Sequence, residues 1–345
     1  MSQYTLNQLG WQGTFQQQIS LEELETCLFA RVFEHHRTHY LIQTESLDMP
    51  LEIRPNMPTM TVGDWLVMSE HHEFVRLLER STVLSRKAAG SKVEEQLIAA
   101  NVDTLFIVNS LNDDFNLNRI ERYLAIAHES GCEPVIVLTK ADQCKDLDEY
   151  RSQVNSIDPF LMVETVNALD TDSVVSLSPW LTLGKTVAFV GSSGVGKSTL
   201  VNTLLQQQTQ DTAGIREDDS KGRHTTTARS LHIMPTGALL LDTPGVRELQ
   251  IADCEAGVEE TFSDIVALTK QCRFSDCKHI TEPHCAVINA LENESLDQRR
   301  LDNYYKLLKE QERNGASIAE TRLKDKSFGK LIKSVQNASR SFKGK

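Results

Sequence analysis

A chain of 345 residues with 40% hydrophobic content can bury a sizeable core and has room for two or three domains. A formal net charge of −12 argues against indiscriminate nucleic-acid binding. The longest apolar runs are far too short to span a bilayer, and the start, MSQYTLNQLGWQ, has neither the basic nor the apolar stretch of a secretory signal. These features predict a soluble, cytoplasmic protein with no membrane partner.

Over residues 1–82 short alternating or apolar segments (27–34, 39–44, 50–55, 62–69) are separated by polar turns. That pattern predicts a small antiparallel β-barrel, and an SH3-like barrel fits the same segments. From about residue 97 strands and helices alternate. VDTLFIVNS (102–110) and PVIVLTK (134–140) read as buried strands, and NRIERYLAIAHESG (118–131) reads as an amphipathic helix ending in glycine. TVAFVGSSGVGKSTLVNTLL (186–205) gives strand, loop and helix, and ALLLDTPG (238–245) another strand and loop. Repeated βα units with apolar strands imply a parallel sheet covered on both faces, so the domain at 83–250 is α/β. A polar Gly/Asp/Gln-rich loop is expected over 206–223. The remainder, 251–345, is expected to be mostly helical beyond Cys285.

Gly191-Ser192-Ser193-Gly194-Val195-Gly196-Lys197-Ser198, followed by Thr199, fits the phosphate-binding loop G-x-x-x-x-G-K-[ST] between a strand and a helix. Its glycines let successive N–H groups and a helix N-terminus face the phosphates. Lys197 is the candidate bridge to the β- and γ-phosphates, and Ser198 the candidate ligand of Mg²⁺. Asp242-Thr243-Pro244-Gly245 reads as a Walker-B-type D-x-x-G, with Asp242 holding Mg²⁺ through water and the Gly245 N–H reaching the γ-phosphate. Neither element chooses between ATP and GTP. Thr139-Lys140-Ala141-Asp142 resembles the guanine-reading N/T-K-x-D, with Thr where Asn is commoner. A carboxylate at Asp142 can accept from guanine N1–H and the 2-amino group together, a donor pair adenine lacks. Val166-Asn167-Ala168 stands where a backing turn for the base is expected. The base-reading element precedes the phosphate loop in the chain, the reverse of the ordinary order, which marks a permuted domain.

Gly222-Arg223-His224-Thr225-Thr226-Thr227 lies where a first switch is expected. One of the three threonines is a candidate Mg²⁺ contact, with Thr226 the central choice. Val246 occupies the position at which Ras-like GTPases carry a water-orienting glutamine, and valine can neither orient water nor move a proton. His224 is the nearest titratable candidate for the catalytic role. The alternative is a group supplied by a partner, and unassisted turnover is then on the order of 10⁻² s⁻¹ or slower.

The seven cysteines are odd in number, and three of them cluster, which points to metal rather than to disulfides. Cys272, Cys277, His279 and Cys285 supply three thiolates and an imidazole, a filled tetrahedral shell for one structural Zn²⁺; His284 is the alternative imidazole. From Arg313 to Lys345 nine Lys/Arg stand against two Asp/Glu, a basic tail on an acidic body that suggests one localised contact with a polyanion.

Together these stretches, with LSRKAAGSKVEEQLIAANVD (84–103), GRHTTTAR, DTPGVREL, CRFSDCKHITEPHCAV and RLKDKSFGKLIK (322–333), resemble the circularly permuted, ribosome small-subunit-dependent GTPases of the RsgA (YjeQ) family over nearly the whole chain. The resemblance implies an N-terminal OB-fold, a permuted GTPase domain and a C-terminal zinc domain. It also implies a monomer that binds GTP and GDP with Mg²⁺, meets the small ribosomal subunit and its rRNA late in maturation, and hydrolyses GTP when stimulated by that subunit. The first 95 residues depart from such an rRNA-binding barrel in carrying eight Lys/Arg against thirteen Asp/Glu. That balance assigns more of the electrostatic attraction to the tail.

Overall fold

The computed structural model describes residues 4–87, 95–206, 229–242 and 254–315. The N-terminal unit is antiparallel. Strands β1 (Cys27–His35), β2 (His39–Gln43), β3 (Asp48–Glu52), β4 (Trp65–Ser69) and β5 (Phe74–Leu77) pair in the order β3-β2-β1-β4-β5, with β1 hydrogen-bonded on both flanks. A register shift between Val32 and Glu34 bends β1 midway. Its first half pairs with β4 from Cys27 to Arg31, which frees the outer flank of its second half. Ala30, Val32, Tyr40, Ile42 and Leu66 fill one face of this unit, and Phe29, Trp65 and Val67 pack with Leu9 and Phe15 on the other. Two short helices that the sequence did not announce, Gly13–Gln16 and Leu21–Thr26, precede β1; the second is closed by a capping box between Ser20 and Glu23.

A two-stranded ribbon of β6 (Val83–Lys87) and β7 (Glu95–Ala100) leads into the α/β domain. There β8 (Thr104–Ser110), β9 (Glu133–Thr139), β10 (Met162–Thr165) and β11 (Thr186–Val190) run parallel in the order β10-β9-β8-β11. Antiparallel β12 (Arg229–Ile233) pairs with β13 (Leu239–Asp242), which lies parallel to β11. Residue parity sorts the core. Leu105, Ile107, Ile136 and Leu138 face the helix Leu117–Ser130, whereas Phe106, Val108, Val135 and Val137 face Leu200 and Leu204 of the helix Lys197–Gln206. The first of these helices starts where the Asn116 side chain accepts the Arg119 N–H, and stops at Gly131, whose φ of 74° is left-handed.

The two units share one sheet. The freed flank of β1 pairs with β12 at Glu34–Ser230 and His35–Arg229, giving an eleven-stranded sheet. At this junction Arg31 is wholly buried. Its guanidinium donates to the carbonyls of Leu9 (2.7 Å), Gly63 (3.2 Å) and Asn101 (3.1 Å) and to Thr186 Oγ1 (2.9 Å) at the start of β11, and it lies 5.6 Å from the Trp65 ring centre. Burial lowers the guanidinium to about 10 in spite of Asp103 and Asp64 nearby.

The C-terminal part is helical, with Glu255–Thr261, Ser263–Thr269, Ala286–Glu292 and Gln298–Gly315. Gly257 lets the first of these press on helix Leu117–Ser130, since a Cβ there would stand 2.0 Å from the Ala125 carbonyl oxygen. The last helix is fastened to the same neighbour by charge. Glu121, fully buried, accepts from Arg299, Arg300 and Asn303, and Arg300 also pairs with Asp264. No helix among the described residues is long and apolar enough to cross a membrane.

Candidate functional site

The chemistry-bearing segments of the α/β domain gather at the carboxyl ends of the parallel strands. Gly191 follows the last residue of β11 with φ 146°, and a Cβ there would lie 2.3 Å from the Val108 carbonyl oxygen of β8. Only glycine permits that approach. The loop turns again through left-handed Gly194 and Gly196 and enters the helix at Lys197. The Lys197 ammonium donates to the carbonyls of Gly191 (2.8 Å) and Ser192. Val195 is buried beneath the loop, Ser193 and Ser198 are exposed, and Ser192 and Thr199 are half-buried.

Thr139-Lys140-Ala141-Asp142 leaves β9 next to this loop, though the two are more than fifty residues apart in the chain. The buried Thr139 hydroxyl donates to the Val195 carbonyl at 2.6 Å and reaches the Asn109 carbonyl of β8 at 3.4 Å. Threonine is thus a joint between the two motifs, and its small side chain fits against Gly196, where a Cβ would stand 3.5 Å from Oγ1. Lys140 takes a left-handed conformation (φ 60°), and the Ala141 N–H donates to Val166, which carries the chain round to the turn at Asn167-Ala168. Asp142 is exposed at the rim. Thr203, on the helix after the phosphate loop, donates to the Ala168 carbonyl at 2.6 Å, so the backing turn and the phosphate loop are held by one helix. Thr203 carried no signal in the sequence beyond its helical position.

Asp242 closes β13, its backbone paired with Ser230. Gly245, Val246, His224, Thr226 and all but the first residue of the stretch 206–223, for which a loop is expected, lie outside the described residues, as does the tail from 316 on.

The second cluster is a candidate metal-binding quartet. One ligand atom from each of Cys272, Cys277, His279 and Cys285 falls within 4.8 Å of the others, with His279 Nδ1 3.2 Å from Cys285 Sγ and 3.5 Å from Cys272 Sγ. His279, and not His284, turns inward; both are left-handed. Cys285 caps the helix Ala286–Glu292, its sulfur accepting the Ile288 N–H. Three sulfurs and one imidazole nitrogen at this spacing suit a tetrahedral thiophilic ion. Glu282, which the sequence reading passed over, braces the ligand loop. Its carboxylate accepts the N–H groups of Ile280, Lys278 and Thr281, and these bonds hold it at about 2.

Residues 77–252 match the model of the RsgA GTPase family. A Vibrio parahaemolyticus protein named small ribosomal subunit biogenesis GTPase RsgA 2 is 60% identical over 97% of this chain and 94% of its own. This chain belongs to the RsgA GTPase family. It is therefore a GTP hydrolase. A Mesorhizobium japonicum protein named small ribosomal subunit biogenesis GTPase RsgA is 45% identical, with 90% of this chain and 91% of its own covered. Among solved structures, YjeQ from Thermotoga maritima aligns with a TM-score of 0.61 at 26% identity over 82% of this chain and 98% of its own. YloQ, described as a circularly permuted GTPase, aligns at 0.58 and 26% over 84% and 96%. The RsgA fold explains the inverted motif order: β9 and β11 flank β8 in the sheet, although β9 comes first in the chain.

Proposed function

We propose that this chain binds GTP with Mg²⁺ between the Thr139–Asp142 and Gly191–Thr199 segments and hydrolyses it in the service of small ribosomal subunit maturation. The observation that carries the pocket is the Thr139–Val195 hydrogen bond, which brings a base-reading element and a phosphate loop into contact. Asp142 reads guanine, the loop N–H groups and Lys197 take the phosphates, and Ser198 and Asp242 serve the cation. Mg²⁺, when bound, neutralises charge developing on the β- and γ-phosphate oxygens. Gly245 would contact the γ-phosphate, Thr226 would help to hold the cation, and His224 would orient the attacking water.

The biological setting rests on the relatives' printed names, which assign them to small-subunit biogenesis. We assign 1–82 to an OB-fold barrel, 83–250 to the GTPase domain and 251–345 to a zinc domain with a basic tail. Five strands with β1 paired on both flanks agree with a partly open five-stranded Greek-key barrel. The quartet Cys272, Cys277, His279 and Cys285 holds one structural Zn²⁺. The protein acts as a cytoplasmic monomer whose polyanionic partner is rRNA.

The decisive measurement is phosphate release from GTP and ATP with and without purified small subunits. GTP-selective turnover accelerated by subunits is expected; equal turnover of both nucleotides would remove the base-reading role, and indifference to subunits would remove the ribosomal one. Substituting Asp142→Asn replaces a two-acceptor carboxylate with an amide that offers one donor and one acceptor, matching the 2-oxo edge of xanthine. Nucleotide preference should move from GTP to XTP, and retained GTP preference would show that another group reads the base.

A further inference from the structure

The stretch 278–284 joins Cys277 to Cys285 and carries His279, yet it forms neither helix nor strand. Among the described residues none of its members exchanges a backbone–backbone hydrogen bond. Burial does not fix its course either: Lys278, Ile280, Thr281, Pro283 and His284 are all exposed, Ile280 by 72%. His279 adds a cost, because at φ 57° it occupies the left-handed region, which an L side chain enters only against a penalty. This is nevertheless the conformation in which its Nδ1 stands 3.2 Å from Cys285 Sγ and 3.5 Å from Cys272 Sγ. One carboxylate holds the stretch in shape. Glu282 Oε2 accepts the N–H of Ile280 at 2.8 Å and of Thr281 at 3.0 Å, while Oε1 accepts the N–H of Lys278 at 3.0 Å. The two oxygens therefore clasp the backbone on both sides of His279. Bonds to an ionised acceptor are stronger than those to a neutral one, so a single side chain replaces the ladder that this loop lacks.

We propose that Glu282 is a positioning residue of the metal centre: its carboxylate pre-shapes the loop that presents His279, and so sets how tightly and how long the quartet keeps its ion. This rests on the zinc reading above. Cys285 has its place as the cap of a helix, whereas His279 has no such support beyond the clasp. With the clasp in place, less backbone has to be ordered when the ion binds, which raises affinity without adding a ligand.

The test uses the full chain with Zn²⁺, and with Co²⁺ as a spectroscopic probe. Metal analysis of the parent protein comes first, because a chain that retains no Zn²⁺ refutes the zinc reading itself. With that established, Glu282→Ala should lower Zn²⁺ affinity in chelator competition by about ten- to a hundredfold and speed release of the ion. Glu282→Gln keeps one oxygen for these N–H groups and should fall between parent and Ala; if the Ala variant does not fold, this graded loss carries the comparison. In the zinc-loaded protein, amide exchange at Lys278, Ile280 and Thr281 should quicken, while exchange in the helix Ala286–Glu292 stays as in the parent. The ligand-field bands of the Co²⁺ form should shift as the imidazole loses its fixed orientation. Asp276→Asn removes an exposed carboxylate from the same module and should change none of these. Unaltered affinity and exchange in the Glu282 variants overturn the proposal, since the ion alone would then shape the loop. Equal losses in Asp276→Asn also overturn it, because they would trace the effect to charge near the cation rather than to the clasp.

Discussion

Replacing Arg31 with Met tests what joins the N-terminal antiparallel unit to the GTPase domain. Methionine keeps the apolar stem of the side chain but ends short of the guanidinium, so four hydrogen bonds and the guanidinium contact with Trp65 disappear. Bonds from a charged donor contribute about 1.5–3 kcal/mol each, giving roughly 6 kcal/mol or more in favour of the native arrangement. Against this stands the cost of burying the cation. The fall from 12.5 to about 10, which remains after the relief from Asp103 and Asp64, corresponds to about 3 kcal/mol. The difference, about 3 kcal/mol or more, is the loss expected on substitution. At neutral pH the guanidinium is protonated in both folded and unfolded chains, so no titration enters the comparison. Urea unfolding followed by tryptophan fluorescence is the natural assay, because Trp11 and Trp65 stand 4.8 Å apart beside this junction. The midpoint should drop, and Arg31→Lys, with one ammonium unable to serve four acceptors, should fall between. A Met variant within about 1 kcal/mol of the parent would show that the acceptors are satisfied otherwise and that the junction rests on the sheet alone.

Three further outcomes are expected. Thr139→Val removes the donor to the Val195 carbonyl at nearly constant volume, and GTP affinity by equilibrium titration should weaken about tenfold, with the fold intact. Glu121→Gln leaves Arg299 and Arg300 facing a neutral acceptor in a buried site. A loss of about 3–5 kcal/mol and faster amide exchange over 298–312 should follow, whereas exchange in β8 should be unaffected. Chelation of the metal, or Cys285→Ser, should lower the melting temperature and reduce helical ellipticity, because the segment 270–285 carries few buried apolar side chains of its own.

The motifs were legible because each is a short run whose spacing encodes its geometry. A phosphate loop needs glycines at set positions, and Gly191, Gly194 and Gly196 all adopt positive φ. The metal quartet was readable because its residue types bind one class of ion. His279, preferred for its place beside Cys277, is the imidazole that gathers with the three thiols, although both histidines share the same backbone region. What the sequence concealed were partners chosen at long range. Arg31 sits in an apolar strand and looks like a polar interruption until Thr186, 155 residues later, supplies an acceptor. The ribbon β6–β7 and the pairing of β1 with β12 have no local signature, because strand partners are set by register and burial rather than by neighbours in the chain. Glu282 acts through backbone N–H groups, which any sequence could provide.

The pairing of β12 on both flanks restricts how mechanical force can travel through this molecule. Leu231 is buried and His232 exposed, so a slip by one residue would turn the leucine to water and the histidine inward. A displacement of that strand is therefore passed through the ladder to the β1 hairpin rather than absorbed by a register slip, like a door moved by its hinge post. Amplitude at the far end of the antiparallel unit then scales with its distance from β12.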